Sequence, residues 1–150
     1  MNDRSTVGRP MEILLVEDSL VDARLTMGAL QQGGFRHRLT LVRDGQEAVE
    51  FVHQQGRFAK APRPDLILLD LMLPKKSGLE VLSDVKSHED LKSIPVVIMT
   101  ASEAEEDKLS CDSLRVDGYV VKPVNMDKFL ELVRQLKKFW LKDVILPQVD

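Results

Sequence analysis

The stretch LILLDLMLP, residues 66–74, sets a single aspartate in an almost unbroken apolar run. A short run of consecutive apolar residues is typical of a β-strand buried on both faces, because a half-buried strand alternates apolar and polar side chains. An isolated carboxylate is costly to bury unless it finds a partner or reaches water. The stretch therefore predicts a central buried strand over residues 65–71 that brings Asp70 to a polar end of the sheet.

Strand-like and helix-like segments alternate on either side of this run. Apolar runs predict five strands, which cover residues 11–17, 37–43, 65–71, 95–100 and 118–121. A helical pattern follows each strand, and the last one extends to about Trp140. Asp18 or Ser19 is expected to cap the first helix, and Ser102 with Glu105 has capping-box spacing for the fourth. The pattern predicts one α/β domain, a doubly wound five-stranded parallel sheet with helices on both faces.

Composition excludes several classes of protein. Of the 150 residues, 43% are hydrophobic and 30% charged, as in a soluble globular domain, and the net charge of −3 argues against general DNA binding. No apolar run approaches the roughly 20 residues of a membrane span, and residues 1–10 are expected to be a disordered lead-in. The single cysteine, Cys111, excludes an internal disulfide and fits a cytoplasmic protein. The histidines (His37, His53 and His88) are scattered, so no metal or catalytic role is expected of them.

Polar residues follow four of the five predicted strands at the point where each strand ends. They are Glu17 and Asp18 after the first strand, Asp70 near the end of the third, Thr100 at the end of the fourth and Lys122 after the fifth. Open parallel sheets bind ligands outside the carboxyl ends of their strands. These five side chains are therefore expected to meet at one edge of the sheet.

Their chemistry favours phosphoryl transfer. Three packed carboxylates repel one another, and a divalent cation relieves that repulsion. An all-oxygen ligand set suits a hard ion such as Mg²⁺. With Mg²⁺ and the Lys122 ammonium to neutralise phosphoryl oxygens, and Thr100 to donate a hydrogen bond to one of them, the Asp70 carboxylate can attack phosphorus.

The motifs at these strand ends resemble a known family when they are taken in order. VED at 16–18, LLDLMLP at 68–74 with SG at 77–78, MTA at 99–101 and GYVVKP at 118–123 resemble the receiver domain of two-component response regulators, of the chemotaxis-type single-domain kind. The resemblance covers about residues 11–140 and leaves 141–150 as a C-terminal extension. It implies the flavodoxin-like strand order 2-1-3-4-5. It also implies a module that takes a phosphoryl group from a sensor histidine kinase, assists its own phosphorylation and dephosphorylation, and switches partner binding.

The resemblance implies a set of metal ligands. Glu17 and Asp18 resemble the acidic pair that holds Mg²⁺, Asp70 resembles the phosphate-accepting aspartate, and the backbone carbonyl of Met72 would be a further ligand. Many family members have aspartate where this chain has Glu17. The longer glutamate side chain still reaches a metal-bound water.

Three further residues are implied to act on the phosphoryl group or to report its presence. Lys122 resembles the invariant-type lysine of the family, Thr100 its switch hydroxyl and Tyr119 its switch aromatic. From the residues alone, Tyr119 could equally be an ordinary aromatic at a sheet edge.

Features outside these motifs resemble the regulators that pair with cyanobacterial phytochromes. They are the RFAKAPRP loop at 57–64, DLMLPKKSG at 70–78 and the apolar tail with Trp140 and Pro147. This resemblance implies a red-light sensor histidine kinase as phosphoryl donor and a tendency to dimerise. Apolar residues near the C-terminus are expected to form a homodimer interface, or alternatively to fold back over their own core. The interface residues would be Phe139, Trp140, Val144 and Ile145.

Two functions of other classes are alternatives. A Mg²⁺-dependent aspartyl-phosphatase of the haloacid-dehalogenase type resembles DxD on the first strand, whereas here the aspartate is on the third strand and Met72 stands two residues later. A flavin or nucleotide carrier needs a Gly-, Ser- or Thr-rich phosphate loop after the first strand, where this chain has EDSLVD. Incubation with acetyl phosphate distinguishes the three, by stable acylphosphate, orthophosphate turnover or no reaction.

Overall fold

A computed structural model describes residues 10–33, 36–101, 104–122 and 125–136 of the chain. Strands and helices alternate strictly along these residues. The elements are β1 (Met11–Val16), α1 (Leu20–Gln32), β2 (His37–Val42), α2 (Gly45–Val52), β3 (Leu66–Leu69), α3 (Gly78–Ser87), β4 (Val96–Thr100), α4 (Glu105–Ser113), β5 (Gly118–Val121) and α5 (Met126–Leu136). A short 3₁₀ turn, Gly56–Phe58, lies in the loop between α2 and β3.

The strands form one parallel sheet in the order β2-β1-β3-β4-β5. The last residues of neighbouring strands are level with one another, since Val16 pairs with both Val42 and Leu69, and Thr100 pairs with Val121. The carboxyl ends of the strands therefore share one edge, called here the carboxyl edge. The predicted fold class and strand order are confirmed.

Both faces of the central strands are buried, which explains their mainly apolar sequences. Leu14 and Val16 of β1 pack in the core layer beneath α2 and α3, whereas Ile13 and Leu15 pack in the opposite layer with α1 and α5. β3 contributes to both layers in the same way. Each fully buried side chain of this size contributes roughly 1.5–3 kcal/mol, so the central strands hold the loops at the carboxyl edge firmly in place.

Three boundaries differ from or refine the prediction. β3 ends at Leu69, so Asp70 is the first residue of the following loop, and its N–H donates to the carbonyl of Val16 at 3.1 Å. Ser19 caps α1, with its hydroxyl accepting from the Asp22 N–H at 3.2 Å. The N-cap of α4 is Ala104, not the predicted Ser102, because the helix begins only at Glu105.

Some predictions fall outside the described residues. These are most of the lead-in at 1–10, Ser102, the end of the last helix after Leu136, the extension 141–150, and the interface residues Phe139, Trp140, Val144 and Ile145. Within the described part of the chain, none of the helices combines the length and apolar character that crossing a membrane requires.

Candidate functional site

Lys122 is the centre of a cluster of charged side chains at the carboxyl edge. It follows β5 directly, and its ammonium nitrogen lies 2.7 Å from Glu17 Oε1, 2.8 Å from Asp22 Oδ2 and 3.0 Å from Asp70 Oδ2. The backbone N–H of Lys122 donates to the carbonyl of Thr100 at 2.7 Å, which fixes the base of the side chain. One ammonium is therefore shared by three carboxylates from three different elements.

Asp70 is held by its own loop and by this ammonium. The residue is only 6% exposed. Its Oδ1 accepts from the N–H of Met72 at 3.0 Å, and Oδ2 accepts from Lys122. The loop returns tightly to α3, because the Gly78 N–H donates to the carbonyl of Leu71 at 3.0 Å. The aspartate in the apolar run thus has the partners that its burial requires.

Glu17 is the most deeply buried carboxylate of the cluster, with 2% of the residue exposed. Burial raises the pKa of Glu17 above its ordinary value, and the Asp70 charge adds to the increase, although hydrogen bonds from Lys122 and the Ser19 N–H oppose it. Burial alone would lower the pKa of Lys122, but its hydrogen bonds to Asp22, Glu17 and Asp70 raise it well above the ordinary value. Lys122 is therefore a permanent cation in a site where negative charge is in excess.

Asp18 lies beside the cluster in sequence but is oriented differently. Its side chain is exposed, and Oδ1 lies 3.8 Å from Arg43 Nη2. Its backbone carbonyl accepts from Arg43 Nε at 3.2 Å and Nη2 at 2.7 Å. Arg43 thus holds the loop after β1 from the end of β2, a role that the sequence analysis did not assign.

Asp22 is the site residue that the sequence analysis missed. It lies in the first turn of α1 and not at a strand end, so the pattern of polar residues at strand ends does not include it. A signal was available, because Asp22 is an acidic residue in the first turn of a helix that begins directly after the carboxyl end of β1. The Ser19 cap sets the start of the helix and so directs Asp22 to the carboxyl edge.

The three remaining predicted residues occupy different environments. Thr100 is completely buried at the end of β4, while Met72 is 69% exposed on the loop after β3. Tyr119 is half-buried, packs against the core layer under α2 and α3, and has the Lys108 ammonium 5.3 Å from its ring centre. It lines a surface cavity of about 430 Å³ together with Ala104, Glu105, Lys108 and Val121.

The donors at the carboxyl edge fit a hard divalent cation. Glu17 and Asp70 are buried oxygen donors in a cluster with more negative than positive charge, and the exposed Asp18 carboxylate lies on the solvent side. Carboxylate and carbonyl oxygens are the ligands that Mg²⁺ and Mn²⁺ prefer. The chemistry of this donor set therefore fits a metal ion with oxygen ligands.

Comparison with known proteins agrees with this geometry. Residues 13–134 match the family described as response regulator receiver domain. The chain belongs to this receiver family. The receiver domain is 45% identical to the response regulator Rcp1 of Synechocystis sp. over 147 residues, which make up 98% of this chain and 99% of Rcp1.

Two solved structures of similar proteins are structures of response regulators. The Mn²⁺-bound form of Rcp1 superposes with a TM-score of 0.77 at 45% identity, covering 93% of this chain and 100% of that one. The phosphorylated cyanobacterial phytochrome response regulator RcpA gives a TM-score of 0.77 at 43% identity, covering 93% and 99%. The predicted family is confirmed, and so is the resemblance to cyanobacterial phytochrome regulators.

The two alternative functions are not favoured for this receiver domain. The residue two positions after Asp70 is the apolar Met72, so the second acid of a haloacid-dehalogenase phosphatase is lacking. The loop after β1 presents Glu17 and Asp18 where a nucleotide or flavin carrier would need phosphate-binding donors. The chain is a signalling module of the receiver type.

Proposed function

We propose that this receiver domain accepts a phosphoryl group on Asp70 from a sensor histidine kinase and thereby changes its affinity for a protein partner. The observation that carries the proposal is the contact of 3.0 Å between Lys122 Nζ and Asp70 Oδ2 inside a cluster with excess negative charge. A carboxylate that lies in a loop at the carboxyl edge, next to a fixed cation, is suited to attack phosphorus and accept a phosphoryl group.

Mg²⁺ would be held by Glu17, Asp18, Asp70 and the backbone carbonyl of Met72. Support comes from the oxygen donors described above and from the Mn²⁺ in the structure of Rcp1, since both ions prefer oxygen ligands. When bound, the ion neutralises phosphoryl oxygens and relieves the repulsion among the carboxylates. The buried Glu17 would contribute mainly its charge, and the exposed Asp18 would close the site on the solvent side.

In the phosphorylation step, an Asp70 carboxylate oxygen attacks the phosphorus of a phosphohistidine. The oxygen–phosphorus bond forms while the phosphorus–nitrogen bond breaks, and the electron pair leaves with the imidazole nitrogen, which takes up a proton from solvent. Lys122 neutralises charge on the equatorial oxygens, because it already lies beside Asp70 before the step. Dephosphorylation is the attack of water on phosphorus, which releases orthophosphate and restores the carboxylate, and the domain itself assists both steps.

Thr100 and Tyr119 would transmit the change. The Thr100 hydroxyl would donate to a phosphoryl oxygen, and its inward movement would let Tyr119 turn toward the core. The half-buried position of Tyr119, beside a cavity that it lines with Lys108 and Val121, supports two orientations of the ring. Such a two-state element can be biased by one local charge event.

The phosphoacceptor role is tested by labelling the domain with a phosphorylated histidine kinase or with acetyl phosphate in the presence of Mg²⁺. Asp70→Asn keeps the shape of the side chain but lacks the attacking charge, so the acylphosphate should disappear while the far-UV circular dichroism stays unchanged. Asp90→Asn is the matched control, because Asp90 is exposed and lies away from the carboxyl edge. Equal labelling of Asp70→Asn and the native chain would exclude Asp70 as the acceptor.

The proposed phosphoryl donor is a phytochrome-type histidine kinase that senses red light. The similarity to RcpA, a cyanobacterial phytochrome response regulator, at 43% identity supports this donor. A panel of purified histidine kinases gives the test, and a phytochrome kinase should phosphorylate the domain fastest. Faster transfer from an unrelated kinase would contradict the proposed donor without affecting the role of Asp70.

We further propose self-association through the apolar C-terminal residues Phe139, Trp140, Val144 and Ile145. The apolar pattern after residue 138 supports a hydrophobic contact, and a two-fold homodimer is the commonest assembly of soluble domains. Deleting residues 141–150 together with Trp140→Ala should convert a dimer to a monomer in sedimentation experiments. Leu109→Ala removes an apolar side chain that is exposed on α4 and is the control. A native monomer, or a dimer that survives the deletion, would refute this interface.

A further inference from the structure

Two histidines and an aspartate come together where α2 and α3 end. His53 is the C-cap of α2, Asp84 lies in the last part of α3, and His88 is the C-cap of α3. The expectation that the histidines are scattered is therefore wrong for His53 and His88. The His53 and His88 rings are 4.5 Å apart, centre to centre, in an edge-to-face arrangement. The two helices pack side by side on the sheet, so residues distant in sequence meet at their ends.

The three residues are close enough to share one ion. One ligand atom from each residue lies within 4.8 Å of the other two. His53 Nε2 is 2.6 Å from Asp84 Oδ2, and His88 Nδ1 is 3.9 Å from Asp84 Oδ1. His53 and Asp84 are partly buried, with side chains 20% and 26% exposed, while His88 is more open at 46%. The cluster thus has a fixed inner pair and an accessible outer residue.

A backbone contact also fixes the tautomer of His88. The carbonyl of Asp84 lies 2.7 Å from His88 Nδ1 and can only accept, so a neutral His88 ring carries its proton on Nδ1 and its lone pair on Nε2. Metal-binding histidines commonly donate their second ring N–H to a backbone carbonyl in this way, which fixes the ring and its tautomer. Asp84 therefore orients His88 with its backbone and offers a carboxylate with its side chain.

We propose that His53, Asp84 and His88 form a binding site for a divalent transition metal of the Zn²⁺ class. Two imidazoles and one carboxylate are typical Zn²⁺ ligands, and Asp84 and His88 have the i, i+4 spacing that places two ligands on one helix face. This set is unlike the oxygen-only cluster around Asp70, which suits Mg²⁺. Three protein ligands leave the fourth position of a tetrahedral ion to water or to a partner's side chain.

Small movements bring the cluster to zinc geometry. Ligand atoms about 2.0–2.1 Å from a tetrahedral Zn²⁺ are about 3.3 Å from one another. The His53–Asp84 pair, now at 2.6 Å, would open by under 1 Å, and the wider separations between ligand atoms, at most 4.8 Å, would close by movement of the more exposed His88 side chain. In the absence of metal, the hydrogen bond between His53 and Asp84 keeps two of the three ligands together.

The bound ion would link the last turns of α2 and α3. α3 begins at the carboxyl edge, where Gly78 contacts Leu71, and runs to His88 at the opposite end of the sheet. The site is therefore separate from Asp70 and independent of phosphoryl chemistry. Its direct effect is stabilisation of the folded state by metal binding, which rises with the ratio of free metal to Kd.

The test is a Zn²⁺ titration of the full chain without an affinity tag, by calorimetry in excess Mg²⁺, which occupies oxygen-ligand sites. We expect one Zn²⁺ per chain, with binding weakened at least about tenfold in His88→Ala and in Asp84→Asn. Shifts of the ring ¹⁵N resonances of His53 and His88 should accompany binding. His37→Gln is the matched control, since it removes the third histidine of the chain from a position on β2, and it should bind as the native chain does.

His88→Ala is the decisive variant, because His88 is the most exposed of the three residues and its loss should leave the fold intact. Asp84→Asn keeps the side-chain shape and gives a second, independent reading. The proposal is overturned if Zn²⁺ does not bind in excess Mg²⁺, if both variants bind it as tightly as the native chain, or if His37→Gln weakens binding equally.

Discussion

Replacing Lys122 by methionine tests how far the site depends on one shared cation. The Lys122 side chain is 12% exposed, and its ammonium contacts Glu17, Asp22 and Asp70. The substitution keeps an apolar chain of similar length but removes this ammonium. Removing one partner of a buried ion pair costs about 3–5 kcal/mol, because the remaining charge is left without compensation. Asp22 is partly exposed, so the lower end applies, and we expect a loss of about 3 kcal/mol at about pH 7.5 in EDTA.

The loss should depend on pH through Glu17. Lys122 lowers the pKa of Glu17 through a hydrogen bond and its charge, so in Lys122→Met the pKa rises further above its ordinary value of 4.5. A carboxyl whose pKa is raised in the folded state binds more protons when the protein is folded than when it is unfolded. Its contribution to the free energy of unfolding is therefore fully present below the unfolded pKa and is lost as the pH rises through the folded pKa. The stability deficit of Lys122→Met should therefore be smaller near pH 5 than at pH 7.5.

Urea unfolding followed by far-UV circular dichroism measures this free energy in EDTA at both pH values. Lys92→Met is the matched control: Lys92 makes an ion pair with Glu89 at 2.8 Å, but both side chains are more than half exposed, so its loss should be below about 1 kcal/mol. Excess Mg²⁺ should narrow the deficit of Lys122→Met, because a bound divalent ion replaces the missing charge. Equal stability of the variant and the native chain, or a deficit that is the same at both pH values, would refute this account.

Four further variants test the metal, the switch and the backbone. Mg²⁺ at a hundred times its Kd should stabilise the native fold by about 2.7 kcal/mol, and Asp18→Asn should lose most of that gain in thermal unfolding. Thr100→Val should become phosphorylated at nearly the native rate but show no change in partner affinity, and a native-sized change would contradict the switch. Gly78→Ala should destabilise the fold and slow phosphorylation, since its Cβ would lie 2.3 Å from the carbonyl oxygen of Asp70. Gly28→Ala, with open space around its Cβ, should instead stabilise helix α1 by about 0.5–1 kcal/mol.

The strands could be predicted because burial on both faces leaves a simple trace in the sequence. β3 is an unbroken apolar run, β1 is interrupted only by Glu12, and β4 is apolar up to Thr100. A parallel sheet places the residues after these strands at one edge. The prediction that Glu17, Asp70 and Lys122 would meet follows from that rule without any knowledge of side-chain packing. The structure agrees with this rule, since the Lys122 ammonium lies 2.7 Å from Glu17 and 3.0 Å from Asp70.

Features set by helix packing could not be predicted in the same way. His53 and Asp84 are 31 residues apart, and only the packing of α2 against α3 brings them into contact. The start of α4 was predicted from the spacing of Ser102 and Glu105, but the helix begins at Glu105. Its first turn holds Glu105, Glu106 and Asp107, and the positive end of the helix dipole stabilises their negative charges. These residues favour a helix start at Glu105 without a side-chain cap.

Under the proposed function, the sharing of Lys122 would link a charge event at Asp70 to other parts of the domain. The ammonium joins Asp70 on the loop after β3 to Glu17 after β1 and to Asp22 on α1. Its backbone donates to Thr100, and its own strand carries Tyr119 three residues earlier. Any new negative charge beside Asp70 competes for the same ammonium, and the contacts to Glu17 and Asp22 must weaken as it is drawn away. The residues that stabilise the resting site are thus the ones that a phosphoryl group would rearrange, so stability and response depend on the same few contacts.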